Sequence, residues 1–114
     1  MKTATLLLAV VPALVSGWRL QLYDKELYVD VLEDRSGTLG QPCKTLAETK
    51  TNKVQSMHWN NDGLGLIVCN VRLYDGNQCT GAKVGDALYD NWNVPAFSSV
   101  NRNRVNSYKI DCDE

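Results

Sequence analysis

The chain has 114 residues, with 12 basic and 13 acidic side chains and a formal net charge of −1. That balance excludes the basic excess of a nucleic-acid-binding domain and the acidic composition of a solvating tail. A hydrophobic content of 44% with 22% charged residues is typical of one folded domain rather than a disordered chain.

The first 17 residues are predicted to be a secretory signal peptide. Met1-Lys2-Thr3 gives a positive start, residues 4–15 form an apolar run, and small residues for cleavage follow at Ser16-Gly17. The run is too short for a membrane span of about 20 residues, and no other stretch is apolar for long enough. We therefore place the mature domain at residues 18–114, with an uncleaved apolar anchor as the alternative.

The four cysteines all lie in the predicted mature domain, at Cys43, Cys69, Cys79 and Cys112. An even number in an exported chain of this size predicts two disulfides. A zinc site is disfavoured, because the sequence has one histidine and no Cys-x-x-Cys pair. No Asn-x-Ser/Thr sequon is present, so N-glycosylation is not expected.

Two short motifs recur in the mature domain, both at an offset of 51 residues. The matching pairs are Leu22-Tyr23-Asp24 with Leu73-Tyr74-Asp75, and Asn52-Lys53-Val54-Gln55-Ser56 with Asn103-Arg104-Val105-Asn106-Ser107. Two separate motifs at one shared offset predict an internal repeat. We place the repeats at about residues 18–61 and 69–112, joined by a turn-rich linker at residues 61–65.

Apolar and polar residues alternate in both repeats, which predicts half-buried strands rather than helices. The predicted strands lie at residues 18–23, 28–32, 57–59, 70–73, 80–84 and 108–110. Asp75-Gly76-Asn77 predicts a tight hairpin turn. Residues 85–99 are predicted to form a long connection, with a short helical turn near residues 87–91. The pattern favours an all-β sandwich of about eight strands in two sheets.

The segment from Tyr74 to Gly81 has an aromatic residue followed seven positions later by glycine, and Ser107 follows in a later strand. This pattern resembles the Greek-key motif of the βγ-crystallin family. In that motif a folded hairpin needs the glycine, and the later serine ties the hairpin down. The step from Gly85-Asp86 to Trp92 is similar to the second motif of the family. The resemblance covers residues 18–112 and implies a two-sheet Greek-key sandwich.

The first repeat matches the motif less fully. Tyr23, Tyr28 and Ser56 fit, but Asp30 stands where glycine is usual. Aspartate tolerates positive φ better than most residues, so the hairpin is still expected. In the second repeat Cys79 stands where the second aromatic residue is usual. Small, cysteine-bridged, secreted versions of this fold are what filamentous fungi often export, including killer-toxin-like proteins.

The resemblance also implies how the cysteines pair. In the family topology, the first and fourth strands of a repeat are antiparallel neighbours. If Tyr74 lies opposite Ser107, then Cys69 faces Cys112, so the implied bridges are Cys69–Cys112 and Cys43–Cys79.

Members of the βγ-crystallin family often bind calcium through the pattern Asn/Asp-Asn/Asp-x-x-Ser/Thr-Ser. The equivalents here are residues 51–56 and 102–107, in which the second position and the final serine match. The first position fails in both, and the fifth offers Gln55 and Asn106 instead of a hydroxyl. Lys53, Arg102 and Arg104 place cations where a divalent ion needs oxygen ligands. We therefore expect neither calcium nor another cofactor.

Candidate catalytic groups are few. His58 is the only histidine, and strand parity places it on the solvent-facing side of its strand. No third group that would hold it as a general base is evident. The carboxylates Glu33 and Asp34, and those of Asp111, Asp113 and Glu114, are expected to be solvated in a turn and at the terminus. The sequence therefore predicts that the protein is not an enzyme.

Aromatic residues are concentrated in the predicted connection at Tyr89, Trp92 and Phe97. Long loops with aromatic residues are frequent binding sites, so these three residues are candidate partner contacts. The alternative is that the rings fill the open end of the sandwich. The adjacent basic cluster at residues 101–104 is expected to be a solvated turn.

Taken with the resemblance, these features predict a secreted, monomeric, non-catalytic binding protein, most simply a fungal effector or a killer-toxin-like antimicrobial protein. The expected partner is an extracellular protein, glycan or cell surface, with no role for nucleic acid. A structural or cell-wall-associated protein of the producer is the alternative, and a weak calcium-binding module is another.

Overall fold

The computed structural model describes residues 17–61, 68–88 and 91–113. Within those ranges the chain forms eight β-strands. Their bounds are β1 Trp18–Lys25, β2 Val29–Gly37, β3 Gln41–Thr45, β4 Ser56–Asn61, β5 Val68–Tyr74, β6 Lys83–Leu88, β7 Trp92–Val94 and β8 Ser107–Asp113. Among the described residues, no helix has the length and apolar character that a membrane span requires.

The strands form two antiparallel four-stranded sheets. Sheet A has the order β2-β1-β4-β7, and sheet B has the order β3-β8-β5-β6. Strand β3 lies in sheet B although it follows β2 in the chain, and β7 lies in sheet A although it follows β6. Each sheet thus takes three strands from one half of the chain and one from the other. The predicted all-β, two-sheet Greek-key sandwich is confirmed.

The core lies between the sheets and is supplied mainly by the four central strands. The inward-facing residues that these strands bury almost completely are Leu20, Leu22, Met57, Trp59, Val71, Leu73, Tyr108 and Ile110. Trp18 closes one end by stacking on Trp59, with ring centroids 5.9 Å apart. The alternation predicted for β1, β4, β5 and β8 therefore marks the core correctly, as a strand's period of two requires.

The two halves of the chain share their unusual backbone conformations. Four residues with positive φ in the first half each have a counterpart 51 residues later; the pairs are Leu27 with Gln78, Tyr28 with Cys79, Asp30 with Gly81, and Asn52 with Asn103. Non-glycine residues rarely adopt positive φ, so four matched pairs indicate that both hairpins fold in the same way. Asp30, at φ 62°, takes the conformation of Gly81, at φ 81°, as expected.

A serine fastens each folded hairpin. The hydroxyl of Ser56 donates to the carbonyl of Lys25 at 2.6 Å and accepts the amide of Tyr28 at 3.1 Å. The hydroxyl of Ser107 donates to the carbonyl of Gly76 at 2.6 Å and accepts the amide of Cys79 at 2.8 Å. Both serines are fully buried and satisfied, which confirms the role that the resemblance implied for them.

Both predicted disulfides are present. Tyr74 lies opposite Ser107 and Cys69 lies opposite Cys112 in the β5–β8 pair. The bonds are Cys69–Cys112 and Cys43–Cys79, and no cysteine is left free. The first bond joins two central strands of sheet B, and the second joins β3 to the folded hairpin of the second half.

The predicted return strands at residues 28–32 and 80–84 and the tight turn at residues 75–77 were wrong in detail. Strand β2 runs from Val29 to Gly37, and β6 begins only at Lys83. The connection between β5 and β6 spans residues 75–82, with a 3-10 turn at Asn77–Cys79. It is closed by hydrogen bonds from Asp75 to Ala82 and from Gly76 to Thr80. A folded hairpin needs these extra residues.

The long connection predicted at residues 85–99 was also wrong, because it contains the rest of β6 and all of β7. The helical turn expected near residues 87–91 is replaced by strand up to Leu88, and residues 89–90 lie outside the described residues. Strand β3 was not predicted, since Gln41-Pro42-Cys43-Lys44-Thr45 shows no apolar alternation.

Candidate functional site

The outer face of sheet A carries a row of polar side chains, one from each strand. Asp34 of β2 pairs with Gln21 of β1, Gln21 with His58 of β4, and His58 with Asn93 of β7. The chain neighbours of His58, Met57 and Trp59, point into the core, so His58 points outward. A second row crosses Ser36, Arg19 and Asn60.

The first folded hairpin adds an aromatic ring to this surface. The ring of Tyr28 stacks on the imidazole of His58, with centroids 3.6 Å apart and an interplanar angle of 17°. Tyr23 meets both rings edge-on, at 5.7 Å in each case. Positive φ at Leu27 and Tyr28 turns the hairpin back over the sheet and makes this contact possible. We call Gln21, Tyr28, His58, Asn60 and Asn93 the amide face.

His58 faces outward as parity predicted, but it is half-buried rather than a free surface histidine. Its Nδ1 atom lies 2.8 Å from Oδ1 of Asn93, within hydrogen-bond distance. One side of the imidazole is covered by Tyr28. The sequence did not predict this stacking, because Tyr28 and His58 are 30 positions apart and meet only through the folded hairpin. The aromatic position of the motif was the signal that pointed to Tyr28.

The equivalent face of sheet B is different in character. The residues 51 positions after Gln21, His58 and Asn60 are Arg72, Lys109 and Asp111. Arg72 Nη1 lies 2.8 Å from a carboxylate oxygen of Asp111, and Lys109 Nζ lies 3.8 Å from the other. Sheet B therefore presents a solvated network of charges where sheet A presents amides and rings. The surface position predicted for Asp111 agrees with this placement, whereas the side chain of Asp113 and Glu114 lie outside the described residues.

The charged residues at one end of the amide face neutralise each other. Arg19 donates from Nε and Nη2 to the two carboxylate oxygens of Asp34, at 3.0 and 2.7 Å. These hydrogen bonds lower the pKa of Asp34, so it remains ionised at neutral pH. A two-point pair of this kind leaves little free charge at the edge of the face.

An open depression of about 510 Å³ adjoins this end, between Trp18 and residues 34–41. Trp18 is only 3% exposed, and its Nε1 donates to the carbonyl of Leu39 at 2.7 Å. The indole of Trp18 is therefore packed in the core and hydrogen-bonded to the loop at Leu39. The depression extends the surface beside Asp34 but offers no free aromatic ring to a ligand.

The candidate contact residues from the sequence have separate placements. Trp92 pairs with Trp59 across β4 and β7, so it faces inward, and its ring lies against Gly85 of the opposite sheet. Phe97 is 6% exposed and belongs to the core. Tyr89 lies outside the described residues. These positions favour the packing alternative for Trp92 and Phe97, and contact of Trp92 with a partner stays a prediction.

The expectation that Glu33 and Asp34 lie in a turn was wrong, because both belong to strand β2; Asp34 is exposed as expected, but Glu33 is not. Glu33 lies in β2 and is 5% exposed. Its carboxylate accepts hydrogen bonds from Lys44 Nζ at 2.6 Å, from Tyr108 Oη at 2.7 Å and from Lys50 Nζ at 3.4 Å. We call these four residues the Glu33 cluster. It joins the edge strand β2 of sheet A to strands β3 and β8 of sheet B.

Burial opposes ionisation of Glu33, yet the hydrogen bonds from Lys44 and Tyr108 outweigh it and lower the pKa of the carboxyl. Burial and the bond to Glu33 both raise the pKa of Tyr108, so its phenol stays protonated and donates. The cluster is therefore a charged, satisfied bridge between the sheets. The polar atoms of the cluster form hydrogen bonds with one another, which indicates a structural role.

In the second of the two loops that resemble calcium sites, a cationic side chain lies against the folded hairpin. Arg104 Nη2 donates to Asp75 at 2.6 Å, and its Nη1 donates to the carbonyl of Val100 at 3.2 Å. The bond from Arg104 lowers the pKa of Asp75. Arg104 is thus held against the hairpin instead of lying in the solvated turn expected from sequence. No cluster of three His, Cys, Asp or Glu in the described ranges could hold a metal ion. That calcium does not bind stays a prediction.

No family model and no curated protein matches the chain. Among solved structures, the chain is similar to a βγ-crystallin domain from Clostridium beijerinckii, with a TM-score of 0.56 and 18% identity over 82% of this chain and 97% of that chain. A double mutant of such a domain from the same organism gives a TM-score of 0.55 and 19% identity over 82% of this chain and 96% of that chain. A double mutant of clostrillin in complex with nickel gives a TM-score of 0.55 and 18% identity over 82% of this chain and 97% of that chain. The chain therefore has a βγ-crystallin fold, as its motifs implied.

Proposed function

We propose that the chain is an exported, monomeric, non-catalytic protein that binds its target through the amide face. The observation that carries this proposal is the difference between the two outer faces. Repeat-equivalent positions hold Arg72, Lys109 and Asp111 on sheet B but Gln21, His58 and Asn60 on sheet A. Tyrosine and asparagine are the side chains that recognition surfaces use for rigid contact area and adaptable hydrogen bonds.

Export is supported by the cysteines and by the start of the sequence. Two disulfides persist most readily in an oxidising, extracellular compartment. The predicted signal peptide supplies a route, although residues 1–16 lie outside the described residues. We infer that cleavage near Gly17 releases a domain of residues 18–114, containing both repeats.

The absence of catalysis is proposed from the environment of His58. Its imidazole contacts Tyr28, Tyr23 and Asn93. A histidine general base needs a nucleophile beside it and a group that orients it for proton transfer. In the described part of the chain, the groups around His58 are rings and an amide, which suit contact better than proton transfer.

Within this class, we infer a role on the cells of another organism, as an effector or a killer-toxin-like protein of a fungus. The small domain, the two disulfides and the predicted signal peptide support that role. A structural protein of the producer's own wall is the second candidate. It shares the exposed amide face and would be recognised by binding to the producer's cells alone.

We expect arginine substitutions on the amide face to weaken cell binding strongly without unfolding the protein. Protein purified after export from a eukaryotic host would be incubated with fungal, bacterial and plant cells, and bound protein and growth would be measured. Asn93→Arg and Asn60→Arg should each weaken binding about tenfold or more, because each places an unpaired charge against the target. Asn60→Arg should alter stability by no more than about 0.5 kcal/mol, and Asn93→Arg, which also removes the hydrogen bond to His58, by no more than about 1.5 kcal/mol.

The matched control is Asn77→Arg, which makes the same substitution at an exposed position on the hairpin of sheet B. It should bind as the unmodified protein does. Equal binding by Asn93→Arg and the unmodified protein would contradict the proposed face. Loss of binding in Trp92→Ala with an unchanged melting temperature would place the contact on the connection predicted from sequence instead.

A further inference from the structure

Resting on the proposed function, we propose that the ligand of the amide face is a neutral glycan chain. Gln21, Asn60 and Asn93 each end in an amide with one carbonyl acceptor and two N–H donors. Oδ1 of Asn93 already lies 2.8 Å from Nδ1 of His58, and the side chain of Gln21 is hydrogen-bonded to Asp34, so a ligand would meet the second lone pair of each carbonyl and the remaining N–H groups. A sugar hydroxyl donates one hydrogen bond and accepts others, so neighbouring hydroxyls can use both halves of an amide at once. The match in hydrogen-bonding type is the first reason for the proposal.

The arrangement of these groups favours an extended ligand over a small one. Gln21, His58 and Asn93 are directly opposite one another on three neighbouring strands. Neighbouring strands are about 4.8 Å apart, so the row is about 10 Å long and runs across the strands. The strands hold the row rigidly, and its last residue, Asn93, is exposed on β7, the edge strand of the sheet. Such a row can contact successive units of a chain.

The aromatic part of the face suits the apolar side of a sugar ring. Tyr28 is fixed by its stack on His58 and by the edge of Tyr23, so little freedom is lost when a ligand covers it. The face of an aromatic ring is electron-rich and attracts weakly positive C–H groups. Sugar rings present such C–H groups on one side and hydroxyls at their rim.

Charge decides between a neutral and a charged ligand. Arg19 and Asp34 are the charged residues of the two cross-strand rows, and they are joined by two hydrogen bonds. An anionic polymer, a phospholipid headgroup or an acidic peptide would find no unpaired cation along these rows. Displacing the Arg19–Asp34 pair would cost two charge-assisted hydrogen bonds. The face therefore complements an uncharged ligand.

The test uses insoluble chitin, cellulose and mannan as neutral probes, with polygalacturonate as the charged comparison. Depletion of the exported protein from solution should occur with at least one neutral glycan. It should persist when salt is raised, because screening weakens only charged contacts. Asn93→Arg should reduce the depletion about tenfold or more, and Asn77→Arg should leave it unchanged. Soluble oligosaccharide of the same glycan should release the bound protein.

Failure of this inference can be separated from failure of the proposed function. Binding to cells that is lost after protease treatment, with no depletion by any neutral glycan, would overturn the glycan and leave a protein target for the same face. Depletion by polygalacturonate alone, abolished by salt, would also overturn it. If no cell type binds the protein, both the proposed function and the glycan are rejected.

Discussion

Replacing Glu33 by alanine is expected to lower the free energy of unfolding by about 3 kcal/mol, the lower end of the cost of breaking a buried ion pair. The carboxylate is 5% exposed, and without it Tyr108 loses its acceptor inside the core. The side chains of Lys44 and Lys50 are 33% and 39% exposed and can turn toward water, which keeps the cost from rising further. Urea denaturation of both proteins measures the difference.

The matched control is Asp34→Ala, which removes the neighbouring carboxylate on the opposite face of β2. The Arg19–Asp34 pair is exposed on both sides, so its loss should cost no more than about 1 kcal/mol. Equal losses in the two variants would show that the Glu33 cluster does not join the sheets.

The same cluster has a defined pH dependence. The folded-state pKa of Glu33 lies below its ordinary value of 4.5, so its contribution is complete above that value and is lost as the pH falls through the folded pKa. Glu33→Gln removes the titration while keeping the shape. The stability difference between this variant and the unmodified protein should be constant near neutral pH and should shrink below about pH 4.

Removing the Cys69–Cys112 disulfide is expected to cost about 4 kcal/mol. The two cysteines are 43 positions apart, and a loop of that length loses about this much chain entropy in the unfolded state. Cys69 is buried, so the double substitution Cys69→Ala with Cys112→Ala keeps the site apolar. The midpoint of urea unfolding should fall accordingly, and a loss below about 1 kcal/mol would contradict the account.

Peptide mapping checks the pairing that this expectation assumes. Digestion under non-reducing conditions should release Cys69 linked to Cys112 and Cys43 linked to Cys79. A fragment joining Cys69 to Cys79 would contradict the register of β5 and β8.

The features that the sequence predicted are those written into local patterns or repeated in the chain. The offset of 51 residues located both folded hairpins and the serines that fasten them. The alternation around Met57, Trp59, Tyr108 and Ile110 marked the core. The expected pairing of Tyr74 with Ser107 correctly predicted that Cys69 lies opposite Cys112.

The features that the sequence missed depend on contacts between distant segments. A bulge at Leu22 and Tyr23 leaves one extra residue in β2, so Glu33 faces inward although simple counting along the chain does not show it. Strands β3 and β7 are short and pair with the other half of the chain, which local alternation cannot reveal. The amide face was missed for a similar reason, since three strands and a folded hairpin assemble it.

We propose that the protein meets its target through the amide face of sheet A. Nuclear magnetic resonance of isotope-labelled protein tests this surface residue by residue, when the protein is titrated with glycan released from a cell wall that binds it. We expect the amide signals of Gln21, His58, Asn60 and Asn93 to shift together as the glycan is added. Shifts confined to Arg72, Lys109 and Asp111 on sheet B would contradict it.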